Sequence, residues 1–204
     1  MQPGLFLLWS LTVFGAAAAW FYLQISMKTR ENFRSRRRIT GCELARQVLD
    51  RYQFSQAAVY PRAGNRRVHF GFEFDRLILS DKTYYGTRLA DLAAALHEAA
   101  HLMTDSRMVL GTRFVRPVLL LSWVLVFAGF LLPPARGALF LGEFLFLVLG
   151  LRAVVRLSGE WEVTQRAFAC LASIEGFGTD ERVRIKDFLK ALRWSPLAEI
   201  FAAL

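Results

Sequence analysis

Apolar and polar positions fall into long blocks along this chain. Leu5 to Ile25 carries no charge, Pro117 to Ala135 is apolar apart from Ser122, and Gly137 to Leu151 is apolar apart from Glu143. The first run is long enough to cross a hydrocarbon core of about 30 Å at about 1.5 Å per residue. A cleaved signal peptide is the competing reading, and it fits poorly because no Lys or Arg precedes the run. The other two runs flank Pro133-Pro134-Ala135-Arg136-Gly137, a helix breaker, and read as a helical hairpin. Each limb is near the lower length limit, so a buried hairpin in a soluble protein competes with a membrane hairpin.

Between the blocks the period changes. Thr40-Gly-Cys-Glu43 is a capping box, and Leu44, Val48 and Tyr52 follow at helical spacing. Residues 56–61 and 67–80 are expected to be extended. Val68, Phe70, Phe72 and Phe74 alternate, and Leu77-Ile-Leu79 follows, which predicts a hairpin. Thr87 to about Met108 reads as an Ala-rich helix. Gly159 to Ile174 and Asp180 to Arg193 read as two further helices, and Pro196 is expected to interrupt the chain before a short apolar tail.

Charge orients these blocks. The 204 residues carry a net charge of +9 and are 54% hydrophobic, which excludes a disordered chain or a small disulfide scaffold. The two cysteines, Cys42 and Cys170, lie far apart and read as free thiols. Met27 to Arg38 holds six positive charges and one negative. The positive-inside rule then places this segment in the cytoplasm and the N-terminus outside. Arg113 and Arg116 before the hairpin, and Arg152 and Arg156 after it, put both flanks on the same side. Trp20, Phe21 and Tyr22 fit an interfacial belt. A basic run directly after a spanning helix points to anionic lipid headgroups, so no nucleic acid is expected as a partner.

The chemistry sits in His97-Glu98-Ala99-Ala100-His101, an HExxH motif. Residues four apart share a helix face, so both imidazoles can meet one Zn²⁺ ion. Glu98 can then act as general base toward a water that the ion makes acidic. A third ligand is required, and spacing leaves His69, Glu160 and Glu162 open. The two glutamates are attractive because the hairpin returns the chain to the side it left after His101. Tyr84 and Arg88 are the nearest candidates to stabilise an oxyanion. Glu143 is an intramembrane carboxylate and a functional suspect outside the zinc site.

Leu89 to His101, the apolar hairpin, and Glu160-Trp-Glu-Val-Thr-Gln-Arg-Ala167 together resemble the YugP-like neutral zinc metallopeptidases of bacterial membranes. That family has an HEVGH-type helix, a membrane hairpin and an EFDASRRA-type segment. Thr40 to Arg46 is similar to its TGxEVAR stretch, and Leu79 to Gly86 to its LSPxVYxG stretch. The resemblance implies that Glu160 is the third ligand, as in the ExxxD pattern of HtpX-type membrane proteases, with Glu162 and Thr164 beside the ligands. Three departures stand out: Ala100 replaces a Gly, Thr164 replaces the Asp of ExxxD, and the tail after Pro196 is too short to span.

The expected architecture is a mainly α integral membrane protein with an N-terminal anchor helix, a transmembrane helical hairpin and a small α+β zincin-like cytoplasmic domain. Its parts are an anchor (1–26), a basic juxtamembrane segment (27–38), a domain with the HExxH helix (39–115), the hairpin (116–156) and a C-terminal helical part completing the zinc site (157–204). The expected function is a zinc endopeptidase with three spans in the cell membrane and its active site at the cytoplasmic face. Its partners are then the lipid bilayer and protein or peptide substrates near it. The rival is a non-catalytic membrane protein with a structural or binding zinc site.

Overall fold

A computed structural model describes residues 3–28, 33–62, 76–104, 115–132 and 136–202. The fold is mainly helical with one two-stranded sheet. In chain order the elements are α1 (Pro3–Lys28), α2 (Gly41–Arg51), β1 (Ala58–Arg62), β2 (Arg76–Ser80), α3 (Asp81–Tyr84), α4 (Leu89–Met103), α5 (Val115–Leu131), α6 (Arg136–Ser173), α7 (Thr179–Leu192) and α8 (Ser195–Ala202). They form two compact units, one of Met1–Gln24, Arg107–Gly159 and Trp194–Leu204, the other of Ile25–Ser106 and Glu160–Arg193.

The first unit is built from α1, α5, the early turns of α6, and α8. Its core is Ala16, Leu119, Phe146, Leu149, Ala153 and Ile200. Trp9, Trp123 and Phe146 meet edge to face with centroids 5.8–6.1 Å apart, a favoured aromatic geometry. Small residues let the helices approach: a Cβ on Gly142 would meet the Ser122 carbonyl at 2.7 Å, and Ser122 Oγ donates to Gly142 O at 2.7 Å. Polar Ser122 and Glu143 are buried, whereas Leu11, Phe14, Val124, Phe127, Phe130 and Phe144 face outward. Among the described residues one helix, Gly137–Ser173, is long and apolar enough to cross a membrane, and the apolar α5 is shorter. Pro196 opens α8 instead of interrupting the chain, because a proline in the first turn forfeits no intrahelical hydrogen bond.

In the second unit a strap, Phe33 to Arg38, precedes α2. The capping box forms as its sequence predicts: Glu43 N donates to Thr40 Oγ1 at 3.2 Å and Thr40 N to Glu43 Oε2 at 2.7 Å. The β1 and β2 strands pair in parallel, with Ala58 opposite Arg76 and Arg62 opposite Ser80. Parallel partners need a long crossover, and the residues between them, which include Val68 to Phe74 and His69 of the expected hairpin, lie outside the described residues.

A second expectation also needs correction. Gly159 to Ile174 is not a separate helix but the continuation of the second hairpin limb, since α6 runs unbroken for 38 residues. Nothing from Arg152 to Glu160 forces a break, and a lone Gly159 costs only about 1 kcal/mol relative to Ala. The far end of α6 is capped from α7. Arg182 donates from Nη1 to Leu171 O at 2.6 Å, from Nε to Phe177 O at 3.2 Å, and from Nη2 to Ile174 O. One carbonyl of the last turn, Leu171 O, and two just beyond the helix thereby gain a donor. The cysteines are free, with Cys170 buried and Cys42 partly exposed.

The α2 helix sits close to α3 only because residue 41 is glycine. A Cβ there would lie 2.1 Å from the Thr83 carbonyl oxygen and 3.2 Å from Ala95 Cβ of α4. Backbone cannot yield as a side-chain tip can, so Gly41→Ala should cost about 2–4 kcal/mol. A lowered thermal unfolding midpoint of the purified variant checks this.

Candidate metal centre

The α4 helix is buried on every face from Leu89 to His101. Its alanines, Ala93 to Ala95 with Ala99 and Ala100, keep it thin, and α2 and α7 pack against it. Such all-round burial is the mark of a core helix. Its N-cap residue, Arg88, offers no side-chain acceptor. The strap supplies one instead: Leu89 N donates to Phe33 O at 2.8 Å, and Ser35 N donates back to Thr87 O at 3.1 Å. Sequence reasoning missed this role of Phe33 and Ser35. The signal for it was a helix start without a capping side chain.

His97 and His101, one turn apart, bring their rings to 4.6 Å between centroids. Glu160 joins them from α6. It shares its inward face with Val163, Thr164, Ala167, Cys170 and Leu171, all buried, while Trp161 and Glu162 are exposed. Burial thus separates the two glutamates that spacing alone left open.

The three donor atoms form a nearly equilateral triangle. His97 Nε2 and His101 Nε2 are 3.1 Å apart, and Glu160 Oε2 lies 3.2 Å from the first and 3.3 Å from the second. Ligands of a tetrahedral zinc ion at about 2.0–2.1 Å are about 3.3 Å from one another. The residues therefore fit one face of a zinc tetrahedron. All three side chains are buried, and an uncompensated group of this kind is costly.

The electrostatics agree. Burial opposes ionisation of Glu160, but its hydrogen bonds from His101 and His97 prevail and hold its carboxyl well below the usual range. Burial would lower the His97 pKa, yet the hydrogen bond and charge of Glu160 outweigh it and the net shift is upward. Glu98 is buried, which pushes its carboxyl up to about 7 despite the lowering influence of His97.

The other residues singled out by sequence fall in different places. Thr164 is buried one turn beyond Glu160, and its hydroxyl donates to the Glu160 backbone carbonyl at 2.7 Å, steadying the turn and not the carboxylate. His97 Nδ1 is buried with no hydrogen-bond partner among the described residues, although ligand histidines usually donate this N–H. Tyr84 lies in α3, where a hydrogen bond with Cys42 and burial push its phenol up to about 12. Arg88 is the N-cap of α4, about 13 Å along the helix from His97 at 1.5 Å per residue. Glu143 belongs to the apolar unit, and His69 lies outside the described residues.

Fold and site together define a buried centre of two histidines from an HExxH helix and one carboxylate from α6, a donor set suited to zinc. Residues 5–204 match the family described as putative neutral zinc metallopeptidase, and the chain belongs to that family. The family implies Zn²⁺ as the metal. No curated protein and no solved structure matches the chain.

Proposed function

We propose that this chain is a membrane-anchored, zinc-dependent endopeptidase in which His97, His101 and Glu160 hold the metal and Glu98 is the general base. The observation that carries the reading is the triangle of donor atoms, 3.1–3.3 Å on each side and buried, with Glu98 next to His97 in the same helix. When bound, zinc supplies Lewis acidity, polarising a carbonyl and making a water acidic near neutral pH. The two imidazoles and the Glu160 carboxylate fix the metal's position, and Thr164 steadies the turn that presents Glu160. Glu98, with its carboxyl near neutrality, takes a proton from the attacking water and returns it to the departing amide nitrogen.

The anchoring part of the proposal rests on the first unit. Its helices expose large apolar residues and bury Ser122 and Glu143, the reverse of a soluble bundle. The α1 helix has 26 residues and α5 has 17, which bracket the lengths that span a hydrocarbon core. We read α1, α5 and α6 up to Leu151 as three spans, with residues 1–26 as anchor and 116–156 as hairpin. Lys28, Arg116, Arg152 and Arg156 mark the cytoplasmic ends. The zincin-like parts, 39–115 and 157–204, then face the cytoplasm, where flexible segments of membrane-associated proteins are the natural substrates.

Membranes from cells expressing the chain, washed with alkaline carbonate, test both halves. The chain should stay in the pellet and cleave an unfolded protein substrate. A zinc chelator should remove that activity, and added zinc should restore it. Activity indifferent to chelation contradicts the zinc mechanism.

A further inference from the structure

We propose that the strap Phe33–Arg38 is a docking site for anionic phospholipid headgroups, formed by the guanidiniums of Arg34, Arg36 and Arg38. This rests on the membrane reading above and goes beyond it, because it assigns a lipid class to three named side chains. In sequence these residues look like a loose basic linker. In the structure their backbone is fastened at several points: Leu89 N donates to Phe33 O, Ser35 N to Thr87 O, Arg38 N to Ser35 O at 3.2 Å, and Arg36 N to Glu181 Oε1 at 2.8 Å. Ser35 is buried, and Arg37 is tied to the fold by donating from Nη1 to Glu175 O at 2.7 Å.

Arg34, Arg36 and Arg38 are exposed and make no side-chain hydrogen bond or ion pair among the described residues. Neighbouring arginines are used within the fold. Arg182 caps α6, and Arg184 covers the Phe33 ring at 3.7 Å. Among the described residues the carboxylate hydrogen-bonded to the strap is Glu181, one negative charge against three positive. Glu181 spends Oε1 on Arg36 N and Oε2 on Gly178 N at 3.0 Å, so both oxygens serve backbone donors. The result is three guanidiniums without an ion pair among the described residues, carried on a fastened backbone beside a Phe33 ring that is 39% exposed. Fixed cations bordering an exposed aromatic ring match the headgroup layer, where charge meets phosphate and apolar surface meets the acyl boundary.

Chain length selects the bilayer as the occupant. Arg34 is six residues past Lys28, the end of α1, and six extended residues reach at most about 21 Å. With α1 in the membrane, the strap cannot leave the vicinity of the headgroups. An RNA or an acidic protein would have to compete with lipid held permanently at that distance.

The test uses the full chain in neutral detergent, offered equal phosphatidylglycerol and phosphatidylcholine, with retained lipid counted by native mass spectrometry. The wild type should prefer phosphatidylglycerol. Each of Arg34→Gln, Arg36→Gln and Arg38→Gln should lower that preference about fivefold, and the triple variant roughly a hundredfold. The triple Lys variant should keep most of it. Arg51→Gln with Arg62→Gln, which removes two exposed arginines elsewhere, should leave it unchanged. An unaltered preference in the triple Gln variant overturns the proposal, as does an equal loss in the Arg51/Arg62 control. Displacement of the lipid by inorganic phosphate or polyuridylate at equal concentration also overturns it. A chain that stays in carbonate-washed membranes yet shows no lipid preference refutes the strap alone. A chain recovered without membranes refutes the anchoring as well.

Discussion

Glu98→Gln should lower peptide-bond hydrolysis by about 10²–10⁴-fold while the protein keeps its wild-type zinc content. The substitution is nearly isosteric and leaves the donor triangle of His97, His101 and Glu160 untouched. What it removes is a carboxylate that burial holds near neutrality, at about 7, where a group can both accept and return a proton during one turnover. An amide does neither. The rival, a non-catalytic protein whose zinc serves folding or binding, predicts no hydrolysis by the wild type and no change on substitution. Paired activity and metal assays separate the two. Retained activity in a zinc-loaded Glu98→Gln protein would falsify the general-base assignment.

The second large effect belongs to Glu160. Removing its carboxylate by Glu160→Ala leaves two imidazoles that cannot hold a tetrahedral ion alone. Zinc affinity should fall by more than the about 10–100-fold that loss of an outer partner costs, so the purified variant should emerge depleted of metal. Glu162→Ala should retain full zinc, because that side chain is exposed on the opposite side of α6. Spacing in the sequence treats these two carboxylates alike, and the contrast therefore tests the fold as well as the ligand. Equal zinc content in both variants contradicts the placement of Glu160.

The parts of the molecule legible in sequence are those set by local periodicity. The HExxH pair is one: a four-residue spacing puts two side chains on one helix face wherever the helix lies. The Thr40–Glu43 capping box is another, since its hydrogen bonds close within three residues. Glu160 was different, because its distance from His101 in sequence says nothing about its distance in space, and only the resemblance favoured it over Glu162.

The unbroken α6 is hard to read in sequence because polarity changes at Arg152, and a change of surroundings looks there like a change of element. Helix continuity depends on breakers, and Gly159 alone is too weak a breaker. The parallel pairing of β1 with β2 and the fastening of the strap to Thr87 and Glu181 are non-local hydrogen bonds. No run of neighbouring residues encodes them.

X-ray absorption spectroscopy at the zinc edge, on protein purified in detergent and loaded with one equivalent of metal, reads the ligand set of the site itself. The His97, His101 and Glu160 triangle predicts nitrogen and oxygen scatterers only, at about 2.0–2.1 Å, with an imidazole signature from two histidines that disappears when His97 and His101 are both replaced by alanine. A sulfur scatterer at about 2.3 Å, or a spectrum unchanged in that double variant, would place the metal away from these three residues.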